Sequence, residues 1–117
     1  KDNIKGTFGA GNDLQLYHDG THSYIDNQTG ALILENNVND NDIILQTDDG
    51  SGGLTDYVQC DGSNGEVKLF RYGSEKLNTS SSGVTVTGTL NATTAITQNG
   101  NALATNGKAV AMALVFG

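Results

Sequence analysis

Apolar side chains along this chain come in short runs that alternate with polar ones. Leu14 and Leu16 share one face with His18, while Gln15 and Tyr17 take the other. Leu32 and Leu34 alternate with Ala31, Ile33 and Glu35, and in "DIILQT" (42–47) Ile43 and Leu45 fall together. In "EVKLFRYG" (66–73) Val67 and Leu69 oppose Lys68, Phe70 and Tyr72, so both faces carry apolar surface. The cleanest case is "GVTVTGTL" (83–90), with Val84, Val86 and Leu90 on one side and Thr85, Thr87 and Thr89 on the other. A period of two with β-branched residues predicts strands. Between the runs stand glycine dipeptides: "DG" at 19–20, 49–50 and 61–62, "TG" at 29–30 and 87–88, "YG" at 72–73, and "NG" at 64–65, 99–100 and 106–107. Such pairs supply the positive φ of tight hairpin turns. Proline is absent, so every position keeps its ladder donor. The pattern predicts an all-β fold of short antiparallel strands joined by tight turns.

Two segments depart from that grammar. From Leu77 to Gly107 the chain is rich in Thr, Asn and Gly and poor in bulk. One copy cannot build a thick core from it, but several copies wound about an axis can, with Val84, Val86 and Leu90 meeting their symmetry mates. "KAVAMALVFG" (108–117) is the reverse, nearly all apolar. As a strand it puts Val110, Met112, Leu114 and Phe116 on a large face and Ala109, Ala111 and Ala113 on a small one. As a helix it has good formers but is short. Either form is too apolar for water and marks an oligomer interface, the alternative being a last strand packed on its own core. The chain thus reads as a β-rich module (1–76), a β stem (77–107) and an apolar interface segment (108–117).

Composition sharpens the need for partners. Leu, Ile, Val and Phe make up 27 of the 117 residues, against 49 for Gly, Asn, Thr and Ser. Small chains bury a smaller fraction of their surface, and so thin a supply of core formers favours assembly with further copies. The net charge of −7 argues against nucleic acid and against anionic membranes. A single cysteine, Cys60, excludes an internal disulfide framework. No apolar stretch is long enough to span a bilayer. The sequons at Asn27, Asn78 and Asn91 are what an Asn- and Thr-rich chain produces by chance. A start at Lys1 rather than Met suggests a chain cut from a longer one.

The candidate chemistry is thin. His18 and His22 in "HDGTH" (18–22) have zinc-site spacing on a helix, but Asp19-Gly20 between them makes a turn, and no third nitrogen or sulfur ligand lies nearby. The Asp- and Asn-rich strings at 39–42 and 46–53 offer oxygen ligands for a structural cation, yet lack calcium-loop spacing and are ordinary turn chemistry. "GTFGAGN" (6–12) lacks the order and the following helix of a nucleotide loop. Cys60 reads as a buried strand cysteine rather than a nucleophile. No catalytic, cofactor-binding or metal residue is assigned, and an enzyme is not expected. Tyr17, Tyr24, Tyr57 and Tyr72 suit stacking on a sugar ring, although cross-strand packing is their commoner use.

The wording of two stretches points further. "FGAGNDLQLYHDGTHSYI" (8–25) resembles a segment common in structural proteins of marine tailed bacteriophages, particularly their tail-fibre-like proteins. "GEVKLFRYGSEKLNTSSSGVTVTGTLNA" (65–92) is similar to a second segment of those fibres, and "NGNALATNGKAVAMALVFG" (99–117) resembles the closing segment of some. The resemblance implies a β-rich homotrimer whose chains intertwine along a fibre axis; the fold expected is such a fibre or a sandwich-like module with a β stem. It also implies residence in the virion, on tail or capsid surface, after synthesis in the bacterial cytoplasm. Its partners are then further copies, other virion proteins and host surface polysaccharide, with no nucleic acid and no membrane insertion. The self-cleaving chaperone domain of certain fibres is not represented in the sequence. The expectation is a trimeric tail-fibre or spike segment for host attachment. The alternatives are a capsid decoration protein docking through 108–116 and, less favoured, a polysaccharide depolymerase fragment.

Overall fold

A computed structural model describes residues 1–102. Its strands are β1 (Gly6–Phe8), β2 (Leu14–His18), β3 (Ser23–Asn27), β4 (Ile43–Asp48), β5 (Leu54–Asp61), β6 (Glu66–Arg71), β7 (Ser74–Ser80), β8 (Gly83–Val86), β9 (Thr97–Gln98) and β10 (Asn101–Ala102). They form a three-stranded sheet β1-β2-β3, a five-stranded sheet β4-β5-β6-β7-β8 and a small β9-β10 ribbon. The described chain is all-β and antiparallel, with neighbouring strands consecutive in sequence. Hairpin topology of this kind follows from the regular turn signals, since a tight turn can join only antiparallel neighbours.

The chain divides into two compact units. One is Lys1–Ile43 with the hairpin tip Asp61–Asn64, and the other is Ile44–Cys60 with the chain from Gly65 onward. The units cut the sequence elsewhere than the change of composition near residue 77, which falls inside β7.

In the first unit, β2 pairs with β1 through Phe8↔Leu14 and Gly6↔Leu16, and with β3 through Leu16↔Ile25 and Tyr17↔Tyr24. Residues directly opposite share a face. Phe8, Leu14, Leu16 and Ile25 therefore lie on one side, and Thr7, Gln15, Asp26 and the two tyrosines on the other. The turn between β2 and β3 is closed by Asp19, whose Oδ1 accepts the Thr21 and His22 amides, both at 2.8 Å. Also in this unit, the Gly62 amide donates to Asp42 Oδ1 at 2.9 Å. A side chain at Gly62 would run into the Asn41 carbonyl oxygen, so the tip needs glycine there.

In the second unit, β6 pairs with β7 through Lys68↔Asn78 and Leu69↔Leu77, with a bulge before Phe70↔Glu75. β7 pairs with β8 through Leu77↔Val86, Asn78↔Thr85 and Thr79↔Val84. The β6–β7 turn is Tyr72-Gly73, with φ of 48° and 73°. Two positive φ values in a two-residue loop match the twist of the flanking strands.

Three expectations are corrected. Residues 31–35 form no strand, and Leu32, Ile33 and Leu34 are exposed. Their backbone finds no described segment to pair with, and alternation without a partner does not make a ladder. The run at 83–90 is a strand only to Val86, so Leu90 does not share a strand face with Val84 and Val86. The ladder ends where the Thr87 amide reaches the Lys76 carbonyl at 2.9 Å, and Gly88 then turns the chain with φ of 117°. Cys60 lies on β5 as expected but is exposed, not buried. The interface residues Val110, Met112, Leu114 and Phe116 lie outside the described residues.

No hydrophobic side chain among the described residues is buried. The residue recorded as buried is a carboxylate, Asp61, 7% exposed. Its Oδ1 accepts the Ser63 and Asn64 amides and the Ser63 hydroxyl, and its Oδ2 accepts the Asn64 side chain. Polar turn chemistry and backbone ladders hold the described chain together, with no interior to add to them.

Candidate functional site

The two histidines belong to the β2–β3 turn. His18 Nδ1 lies 2.9 Å from the Gly20 amide and 3.3 Å from Asp2 Oδ1. A ring nitrogen that accepts the Gly20 proton has no proton of its own to give Asp2. The shorter contact has the defined donor, so Nδ1 is an acceptor here and the Asp2 contact is not an ion pair. His22 sets its ring edge against Tyr24, with centroids 6.3 Å apart. No group of three or more His, Cys, Asp or Glu side chains placed to hold a metal ion occurs among the described residues.

The acidic strings are likewise occupied by their own turns. Asp48 accepts the Gly50 and Gly52 amides, and Asp49 Oδ1 accepts Ser51 and Gly53 amides and the Ser51 hydroxyl. The Ser51 hydroxyl, followed by the Ser51 and Gly53 amides, holds the Asp49 carboxyl below the usual aspartate range. Asp40 and Asn39 bond to each other, and Asn41 to the Asn39 carbonyl.

The tyrosines form two pairs rather than four isolated platforms. Tyr17 and Tyr24 stack with centroids 4.7 Å apart, and the Lys5 ammonium sits 4.5 Å from the Tyr17 centroid. Tyr24 donates its hydroxyl to Asp19 Oδ2 at 2.8 Å, and this bond raises the Tyr24 pKa above the ordinary value. Tyr57 and Tyr72 meet edge to face at 6.2 Å, with Tyr57 donating to the Asp48 carbonyl. Burial, then the neighbouring Tyr72, pushes the Tyr57 hydroxyl pKa up. Tyr24 and Tyr72 are the exposed tyrosines, at 38% and 52%, but one face of Tyr24 is stacked on Tyr17 and the Arg71 guanidinium sits 5.2 Å from the Tyr72 centroid.

The largest departure from an ordinary domain surface is aliphatic. On the three-stranded sheet, Phe8, Leu16 and Ile25 are exposed together on the face that also carries Leu14. On the five-stranded sheet, the opposed pairs place Leu69, Leu77 and Val86 in one row across β6, β7 and β8. Two positions along, Val67 and Val84 flank Thr79 on the same face, and Val84 is 62% exposed. Thr79 Oγ1 accepts the Val67 amide at 2.8 Å, so the one hydroxyl in the strip already has a partner. The opposite face carries Lys68 and Glu66, paired at 3.4 Å. Sequence reasoning singled out Val84 and Val86; it missed Leu69 and Leu77 as their neighbours, because only the pairing register brings the strands together.

Single exposed apolar residues are normal, whereas these exposed apolar residues adjoin one another along their sheets. No protein-family model, no curated protein and no solved structure matches this chain.

Proposed function

We propose that the chain is a segment of a bacteriophage virion structural protein, a tail-fibre or spike module that works as a homotrimer and takes part in attachment to the host surface. One observation carries the reading: no hydrophobic side chain is buried among the described residues, while aliphatic strips stand exposed on both sheets. Described strands that bury no hydrophobic side chain among themselves gain hydrophobic stabilisation by association with other copies. The likeness of 8–25 and 65–92 to tail-fibre segments supplies the kind of assembly. Tyr24 and Tyr72, the two exposed tyrosines beside polar turns, are the side chains suited to a host glycan.

Mass in solution tests it. The expected result is a trimer at micromolar concentration, and a folded, stable monomer there would sink the reading. Adhesion is read separately, by binding of the assembled protein to host surface polysaccharide without its cleavage. Turnover of the polysaccharide would replace attachment with depolymerisation.

A further inference from the structure

The acidity of the chain restricts where two copies can meet. Each carries a net charge of −7, so close approach of like surfaces is opposed wherever carboxylates gather. The strip formed by Val67, Leu69, Leu77, Thr79, Val84 and Val86 contains no carboxylate, its one charged neighbour along β6 is the cation Arg71, and its single side-chain hydroxyl accepts a backbone amide within the sheet. Its one polar side-chain atom, Thr79 Oγ1, already accepts a hydrogen bond, so losing water costs the strip little beyond the hydroxyl's own proton. The reverse face of the same strands bears Glu66, Lys68, Asn78 and Thr85 with Phe70 next along β6, and it holds the Glu66–Lys68 pair that the strip lacks.

We infer that the β6–β7–β8 strip is the dry centre of the contact between copies of this chain, with a second copy as its occupant. The inference rests on the homotrimer reading and adds to it the face that does the joining. An uncharged aliphatic strip on an otherwise acidic chain suits an identical copy, because it is where the mutual repulsion is least. An obligate interface covers about 1,000 Å² or more on each partner, so the contact extends beyond the strip. Leu77 and Thr79 on β7 lie along the middle of the strip, and Val84 and Val86 line its side on the edge strand β8.

Cysteine labelling separates the two faces of one strand. Val84→Cys and Thr85→Cys are adjacent on β8 and point to opposite sides of the sheet. Both full-length variants are treated with a maleimide while assembled, and modification is read peptide by peptide so that the native Cys60 is counted apart. Cys at 84 is expected to react about tenfold more slowly than Cys at 85, because a thiol reacts only where the reagent reaches it. The difference should vanish when the assembly is dissociated. Equal rates in the assembled protein overturn the assignment of the face. A wild-type monomer by mass, in contrast, overturns the homotrimer reading beneath it. Val84→Asp, placing a carboxylate in the strip, should shift the protein to smaller species while Thr85→Asp leaves it assembled. A Val84→Asp protein that folds and keeps its wild-type mass likewise counts against the strip.

Discussion

Aspartate does the local work that a core does elsewhere. Asp19, Asp48, Asp49 and Asp61 each turn a carboxylate back onto amides two to four residues ahead, so the turns are held by charge-assisted hydrogen bonds. Asp19 also accepts Tyr24, and its carboxyl is held below the ordinary aspartate range, first by the His22 amide, then by the Thr21 amide and the Tyr24 hydroxyl. A folded-state value below the unfolded one gives stability that is present above the unfolded value and is lost as pH falls through the folded one. The β2–β3 turn should therefore weaken below about pH 4. Hydrogen exchange of the Thr21 and His22 amides checks this. Wild type should lose protection on acidification, whereas Asp19→Asn should be weaker at neutral pH and change little with acid. A variant as pH-sensitive as wild type would show that another group sets the response.

At the scale of the element, the turns decide the strand register. Tyr72-Gly73 closes β6 onto β7 with both residues at positive φ, which glycine adopts freely and tyrosine does not. An added Cβ at Gly73 would stand 2.6 Å from Thr55 Oγ1, whereas one at Gly65, also at positive φ, would meet open space. Gly73→Ala is accordingly expected to cost more than Gly65→Ala. The strain at each is about 1–3 kcal/mol, and only position 73 adds the collision. Denaturant midpoints of the two variants compare them, and equal midpoints would mean that Thr55 moves aside freely. The glycine dipeptides made these turns legible in the sequence, as did the alternation in 14–18, 43–48 and 66–71. The run at 31–35 misled because alternation describes which way side chains point, whereas a strand needs a neighbouring backbone.

For the whole molecule, the proposed assembly ties stability to association. Under that proposal the exposed Val67, Leu69, Val84 and Val86 are covered by other copies, and unfolding includes dissociation. Its thermal midpoint should therefore fall on dilution, and the fall should continue over successive dilutions. A midpoint independent of concentration would indicate that the two compact units hold themselves together, contrary to the reading given above. The expectation that Cys60 is buried failed at this scale. Strand position and thiol chemistry both favour burial, but no layer among the described residues covers it.

Residue order by itself determined the class of structure and its punctuation. Alternating apolar positions, Asp-Gly and Asn-Gly turns and the absence of proline admit little besides short antiparallel strands, because those are local constraints on φ, ψ and side-chain direction. Tertiary structure alone decided which strands are neighbours. Leu69, Leu77 and Val86 are far apart in sequence and become one row only through backbone pairing, and Leu90 leaves the strip because the ladder stops at Val86. Whether an apolar residue is core or contact depends on what stands opposite it, and that is a property of the assembled layers rather than of the strand.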